Sequence, residues 1–374
     1  MASNPIDLLS LAIQANVPAL AWGAPGIGKT SSIYQLAKQL DAHLEVVLVS
    51  IREPTDFGGL PVRGPEGVEL FAPGWARRVA NANAKGQLAI VLFDEVNTGA
   101  PATQAAMLRV VFDKAVGDLD LVGAHEDLVR FVAAANPSDQ AAGGWELAPS
   151  LANRWFHFEW PVDAKNWAHG YMNGWPDFKI RKLPTNWRDN VEQQKALTAG
   201  WVEAQPNKLV VVPNDESEAG RAWASPRTYE MMDKLLGAAE SVGLESAKLD
   251  IMKGTIGNIG KEYYTFLRDL DLPKPEVLLA DPESFIMPER GDQVYATLTA
   301  VVYAVINGRK DGQRYIAGWH ILARAARQSS VDIAAGAARK LAEWGMNNNM
   351  PDPDEHIDPF IPMLIEAGIM PEVV

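Results

Sequence analysis

Apolar and polar positions along this chain change rhythm near residue 160. Before that point, short continuous apolar runs alternate with helix-spaced patterns. Residues 18–22 (PALAW) predict a short buried strand that ends at a glycine-rich loop. Residues 29–40 follow with Ile33, Leu36, Ala37 and Leu40 on one helical face. Residues 44–51 (LEVVLVSI) are β-branched and apolar, a second predicted strand. Residues 88–93 (LAIVLF) form an unbroken apolar run before an acidic pair, the pattern of a strand buried on both faces of a parallel sheet. Residues 101–112 predict a helix with proline in its first turn, and residues 129–135 (VRFVAAA) another buried strand. Strands alternating with helices predict an α/β fold, a parallel sheet sandwiched between helical layers.

Beyond residue 160 the strand pattern fades to one stretch, 209–212. Long helical patterns take over at 228–242, 296–306 and 317–344. A proline-rich stretch, 271–290, reads as a connection between helical units. The pattern divides the chain into a core (1–160), a helical region (161–270) and a C-terminal helical region (271–374). Eight tryptophans fall between Trp145 and Trp223, either as filler for cores and interfaces or as a partner surface.

Composition narrows the function classes. A chain of 374 residues can bury a sizeable core. Its net charge of −13 argues against a standing basic groove for nucleic acid, while leaving room for a local patch. Lys179, Arg181 and Lys182 form one short positive cluster, read as a solvated loop. The sequence has no cysteine, which excludes disulfides, a thiolate nucleophile and cysteine-ligated zinc. The N-terminus lacks the basic and apolar regions of a signal peptide, and no run approaches the ~20 apolar residues of a membrane helix. The expectation is a cytoplasmic protein with no membrane partner.

The loop after the first strand carries the strongest chemistry. Gly23-Ala24-Pro25-Gly26-Ile27-Gly28-Lys29-Thr30, followed by Ser31, matches the phosphate-loop pattern G-x-x-x-x-G-K-[ST] completely. Glycines let the backbone wrap tightly and turn several N–H groups inward at a helix N-terminus, a nest for an anion. Lys29 then reaches the β- and γ-phosphates, and the Thr30 hydroxyl ligates Mg²⁺. Asp94 and Glu95 end the most apolar strand, at the carboxyl edge where such sheets bind ligands. Asp94 suits a hard cation as an oxygen ligand, and Glu95 suits a general base acting on water. Asn136 ends the run AAANP. It could hold the lytic water or contact the γ-phosphate, or Asn-Pro could simply begin a turn. The histidines show no metal-ligand spacing.

The segments GAPGIGKT, LFDEVN, AAANP, LANRWFHF and ASPRTYE resemble, in this order, the Walker A, Walker B, sensor 1, arginine-finger and sensor 2 motifs of AAA+ ATPases. Residues 56–75 resemble the helix-2 insert of the MoxR-like clade, within the dynein-related subfamily, and residues 115–121 its hairpin before sensor 1. The likeness covers residues 15–160 well and 224–230 locally. The long segment 163–214 ahead of sensor 2, and the run 76–86 before the acidic pair, depart from the pattern.

The resemblance implies a P-loop NTPase core, an all-α lid and a C-terminal helical region. It implies Mg-dependent ATP hydrolysis with Glu95, Asn136, Arg154 and Arg227 as catalytic residues. Arg154 would be a finger offered to the neighbouring subunit's ATP, with Arg109 and Arg78 as other candidates. Arg227 would be the lid's sensor. It further implies a homo-oligomeric ring, a hexamer in that family, and a protein client, which in MoxR-like systems accompanies a von Willebrand factor A-domain protein. A nucleotide-gated scaffold with little turnover and a nucleic-acid-stimulated motor are the competing readings.

Overall fold

A computed structural model describes residues 3–65, 67–123, 127–137, 140, 144–269, 273, 275–308 and 310–371. The chain divides into two compact units. One comprises residues 1–185 with 209–264, and the other residues 186–208 with 265–374. The sequence pattern suggested three consecutive regions. Instead, residues 186–208 leave the first unit to join the C-terminal helices, and the chain then returns.

The first unit is built on a five-stranded parallel sheet. Its strands belong to the set β1 (Ala19–Trp22), β2 (His43–Leu48), β3 (Leu60–Gly64), β4 (Gly67–Phe71), β5 (Ala89–Asp94), β6 (Ala115–Val116), β7 (Leu119–Asp120), β8 (Val129–Ala135) and β9 (Phe156–Glu159). The sheet order is β2-β5-β8-β1-β9, and every pairing in it is parallel. Apart from their last residue, all positions of β5 are buried, as are all of β1, which is why both read as unbroken apolar runs. The second strand stops at Leu48, and Val49–Ile51 make a 3₁₀ turn. The edge strand β9 carries no such run and went unread.

Phe93 on β5 organises one face of the sheet. Its ring lies 5.8 Å from Phe131, 6.0 Å from Phe57, and 6.3 Å from both Trp75 and Trp155. These offset and edge-on pairs add to plain area burial. Helices Gly74–Ala84 and Pro101–Asp113 contribute to the same core. Two antiparallel hairpins, β3–β4 and β6–β7, stand apart from the sheet, at the positions expected for the insert and the hairpin before sensor 1.

Helices Pro226–Ser241 and Lys248–Ile256 complete the first unit, and the latter packs on β9. Residues 209–212 form no strand there. Val211 N–H donates to Ala224 O at 3.0 Å, a single link without a ladder.

The second unit is helical. Arg188–Ala204, Gly291–Asn307, Gly312–Gln328 and Asp332–Asn347 are its main elements. The pattern over 317–344 predicts one helix, but the structure has two, with Ser329 closing the first at φ −137° and ψ −94°. Trp319 is fully buried among Val301, Leu322, Leu341 and Phe360. The tryptophans divide between the two roles left open. Trp155 and Trp201 are fully buried, while Trp145, Trp167 and Trp175 are at least half exposed. Residues 270–272 and 274 of and beside the proline-rich stretch lie outside the described residues. Among the described residues, no helix is long and apolar enough to cross a membrane.

Candidate nucleotide site

Residues 23–30 form the turn between β1 and the helix Lys29–Gln39. Gly26 and Gly28 take φ of +76° and +92°. A Cβ at either would meet nothing within 4 Å, so backbone conformation, not space, calls for glycine there. Gly23 is anchored from below, its N–H donating to Ala135 O on β8 at 3.2 Å. Pro25, Gly26 and Ser31 face solvent, while Lys29 is 7% exposed.

Lys29 folds back into its own loop. Its ammonium donates to Gly23 O at 2.5 Å, to Ala24 O at 3.0 Å and to Asn136 Oδ1 at 2.9 Å. Burial pushes its pKa below the usual lysine value, and the nearby Asp94 and Glu95 carboxylates partly oppose that. The Thr30 hydroxyl donates to Asp94 Oδ2 at 2.8 Å. These bonds draw the loop, the acidic end of β5 and the polar end of β8 into one cluster. A cationic amine and a hydroxyl beside a carboxylate offer a triphosphate its counter-charge and a hard cation its oxygen donors.

Glu95 departs from ordinary backbone. Its φ of 55° and ψ of 42° place it in the left-handed region, unusual for a long side chain. Such conformations cluster where geometry serves function. The turn is held by the Thr98 hydroxyl, which donates to Glu95 O at 2.7 Å, and by Glu95 N–H, which donates to Asp94 Oδ1 at 3.1 Å.

Asn97, next in this turn, is a residue whose role the sequence left unread. It is 1% exposed, and its amide donates to Asn136 O at 2.8 Å. Asn136 N–H returns to Asn97 Oδ1 at 3.4 Å. The amide pair therefore fixes the residue that receives Lys29. Only its place inside LFDEVN could have drawn attention to it.

Arg154 and Arg227 lie elsewhere. β1 and β9 run parallel in register, with Ala19 opposite Phe156 and Trp22 opposite Glu159. The phosphate loop leaves the end marked by Trp22, and Arg154 precedes the end marked by Phe156. Finger candidate and phosphate loop thus flank opposite ends of the sheet. Arg227 accompanies Arg154. Both guanidiniums cover the Phe112 ring, at 5.4 and 5.5 Å, and Arg227 Nη1 donates to Asn153 Oδ1 at 3.4 Å. Arg154 Nη1 donates to Ser150 O, while its Nε is buried without a partner among the described residues. Burial, and then the neighbouring Arg227 charge, hold the Arg154 pKa below the usual arginine value, with Asp113 opposing. Ser225 caps the helix that carries Arg227, in a capping box with Thr228, and donates to Asn153 Oδ1 at 2.8 Å.

The other finger candidates are differently engaged. Arg78 binds Glu45 through two hydrogen bonds of 2.9 and 2.6 Å, and Arg109 lies 3.9 Å from Asp113. Arg221 is a further residue without a sequence signal. Its guanidinium carbon sits 3.5 Å over the Trp22 ring, and Nη1 reaches Glu159 Oε1 at 3.3 Å. Beneath it, the Trp22 indole donates to His157 Nδ1 at 2.9 Å, so the other imidazole nitrogen donates to Ala152 O at 2.9 Å. Full burial of this neutral ring pushes its pKa down to about 4.

Residues 19–155 match the AAA domain of the dynein-related subfamily. Among solved structures, a candidate ATPase from Cytophaga hutchinsonii is similar at 18% identity and a TM-score of 0.46, over 72% of this chain and 89% of that one. No curated protein matches the sequence. The nucleotide-site core of this chain, residues 19–155, belongs to the AAA ATPase family, in its dynein-related subfamily.

Proposed function

We propose that this chain is a MoxR-like ATPase that hydrolyses Mg·ATP in a ring and uses the cycle to remodel or mature a partner protein. The observation that carries the reading is the cluster itself. Lys29 on Asn136 and Thr30 on Asp94 gather the phosphate-binding, metal-binding and γ-phosphate-facing elements on one sheet edge.

Thr30 and Asp94 would hold the magnesium ion, which supplies charge neutralisation on the phosphates. Lys29 exchanges its loop carbonyls for phosphate oxygens, a better partner for a buried ammonium. Glu95 takes the proton from the attacking water as its oxygen bonds to the γ-phosphorus, and the bond to the ADP oxygen breaks. Asn136, fixed by Asn97, orients that water or the γ-phosphate. Arg154, lying at the other sheet end from its own loop, suits a neighbouring subunit's nucleotide, which is the reason for proposing a ring. The acidic charge of −13 favours a protein client over nucleic acid.

The test is Glu95→Gln. Turnover should fall by at least about 10²-fold while Mg·ATP still binds. The ATP-loaded variant should retain ring-sized assemblies, and these serve as bait for the client. Unchanged turnover would remove Glu95 from its role. Nucleotide binding with no turnover in the wild type would favour the scaffold reading, and hydrolysis stimulated by nucleic acid would favour the motor.

A further inference from the structure

The arginines assigned by sequence stand at the wrong end of the sheet for their own phosphate loop. Arg221 stands at the right one. Its two partners, Trp22 and Glu159, are the facing last residues of β1 and β9, and Trp22 directly precedes Gly23. It also lines a cavity of about 830 Å³ that reaches Asn97. Through Asn97 this cavity meets the hydrogen-bonded chain Asn97–Asn136–Lys29, which the ATPase reading places beside the γ-phosphate.

We propose that Arg221 is the chain's own arginine for its nucleotide, latched on Trp22 and Glu159 in the structure described and released to contact the triphosphate bound on the same subunit's loop. The inference rests on the ATPase reading above.

Three features support a latch in preference to a fixed structural pair. The ion-pair partner is replaceable, since the Glu159 side chain is 74% exposed and the contact is a single 3.3 Å approach. Exposed pairs of this kind contribute little. The Trp22 face is the second hold, and a triphosphate gives a guanidinium stronger, bidentate partners than either. Lastly, burial disfavours the Arg221 charge, with Glu159 and Glu146 opposing, so added anionic charge in the cavity is welcome there. The segment bearing Arg221 is tied to the helix of Arg227 by Asn153, which donates to Trp223 O at 3.0 Å and accepts from Ser225. Movement of Arg221 is thereby linked to the arginine pair at the opposite sheet end.

The test uses the full chain with Arg221→Ala, Arg221→Lys and Glu159→Gln, and with Mg·ATP and Mg·ADP as probes. Arg221→Ala should weaken Mg·ATP binding or raise its KM roughly 10–100-fold, as expected for a lost hydrogen bond to a charged group. Arg221→Lys should recover part of the loss. Glu159→Gln, at an exposed side chain, should tighten Mg·ATP binding several-fold by removing a competitor. Mixed with Lys29→Ala subunits, Arg221→Ala should keep its raised KM, because the Arg221 defect falls in the only sites whose own loop still carries Lys29. Arg154→Ala mixed likewise should regain turnover.

Wild-type KM and kcat in Arg221→Ala would overturn the proposal, and so would recovery in its mixture with Lys29→Ala. If Arg221→Ala does not fold, unchanged or weaker ATP binding by Glu159→Gln overturns it. A wild-type chain that binds no Mg·ATP would instead sink the ATPase reading on which the proposal stands.

Discussion

Arg154 and Arg227 share one ring, their guanidiniums 5.4 and 5.5 Å from the centre of Phe112. Phe112 is 61% exposed, so it serves as a platform more than as core. Two like charges held this close repel each other, and aromatic contact and Asp113 offset that only in part. An anion delivered from outside would relieve the repulsion. Arg154→Ala should therefore lower kcat by roughly 10³-fold or more, with nucleotide binding nearly intact. Arg227→Ala should act in the same direction. The double variant should lose far less than the product of the two, since the pair acts as a unit. Steady-state ATPase rates with parallel binding isotherms measure this, and strictly multiplicative losses would show two independent roles.

His157 makes stability depend on pH. In the unfolded chain its pKa is near 6.5, and in the folded protein about 4. Between these values the unfolded state binds a proton that the folded state refuses, so this residue's contribution to stability falls as pH drops from about 6.5 to about 4. Below that range it stays constant. The full effect is about 3 kcal/mol. Denaturant titrations at pH 7, 6 and 5 should show wild-type stability declining. His157→Gln should be less stable at neutral pH, with a flatter profile through this window. An equally steep decline in the variant would assign the pH dependence to other groups.

The phosphate loop, the acidic strand end and Asn136 were legible because each is a local signal. A continuous apolar run makes the strand, and the polar residue at its end carries the chemistry. What escaped depends on distant partners. β9 reads as FHFE, too short and too polar for a core strand, yet His157 is buried because Trp22 and Ala152 satisfy both its nitrogens. Residues 209–212 look β-branched, but among the described residues their one backbone link is to Ala224, and local propensity makes no ladder alone. Arg221 had no periodic or motif context. Its position follows from the segment after residue 209 folding back on Trp22 and Glu159.

Asn97 offers a test of the polar layer. Its amide is buried and engaged on both sides, with Asn136 as partner and its backbone carbonyl accepting from Trp145 N–H at 2.7 Å. Asn97→Ala leaves the Asn136 backbone without that support, at a cost of about 1–3 kcal/mol. The expected kinetic result is a kcat lowered about tenfold or more at nearly unchanged KM, because Asn97 acts through Asn136. A loss of stability with unaltered kcat would reduce Asn97 to a structural role.

The two hairpins meet glycine to glycine. A Cβ on Gly59 would lie 2.9 Å from Gly117 Cα, and one on Gly117 would run into the Leu70 carbonyl. Gly117 also has φ of +59°, which disfavours any other residue. Around this contact Asp118 N–H donates to Leu70 O at 3.0 Å, and Leu70 N–H donates to Asp118 Oδ2 at 2.7 Å. The β3–β4 hairpin, with exposed Leu60, Val68 and Phe71, is thus clamped to the β6–β7 turn, which follows directly on the helix that ends at Asp113 beside Phe112. Gly117→Ala should open the clamp at a local cost of about 1–3 kcal/mol, combining strain with the steric conflict. Hydrogen exchange at the amides of Leu70 and Asp118 should accelerate strongly, while amides of β5 and β8 keep their protection. Uniform acceleration across the sheet would mean that the hairpins are part of the cooperative core and cannot move as a separate unit.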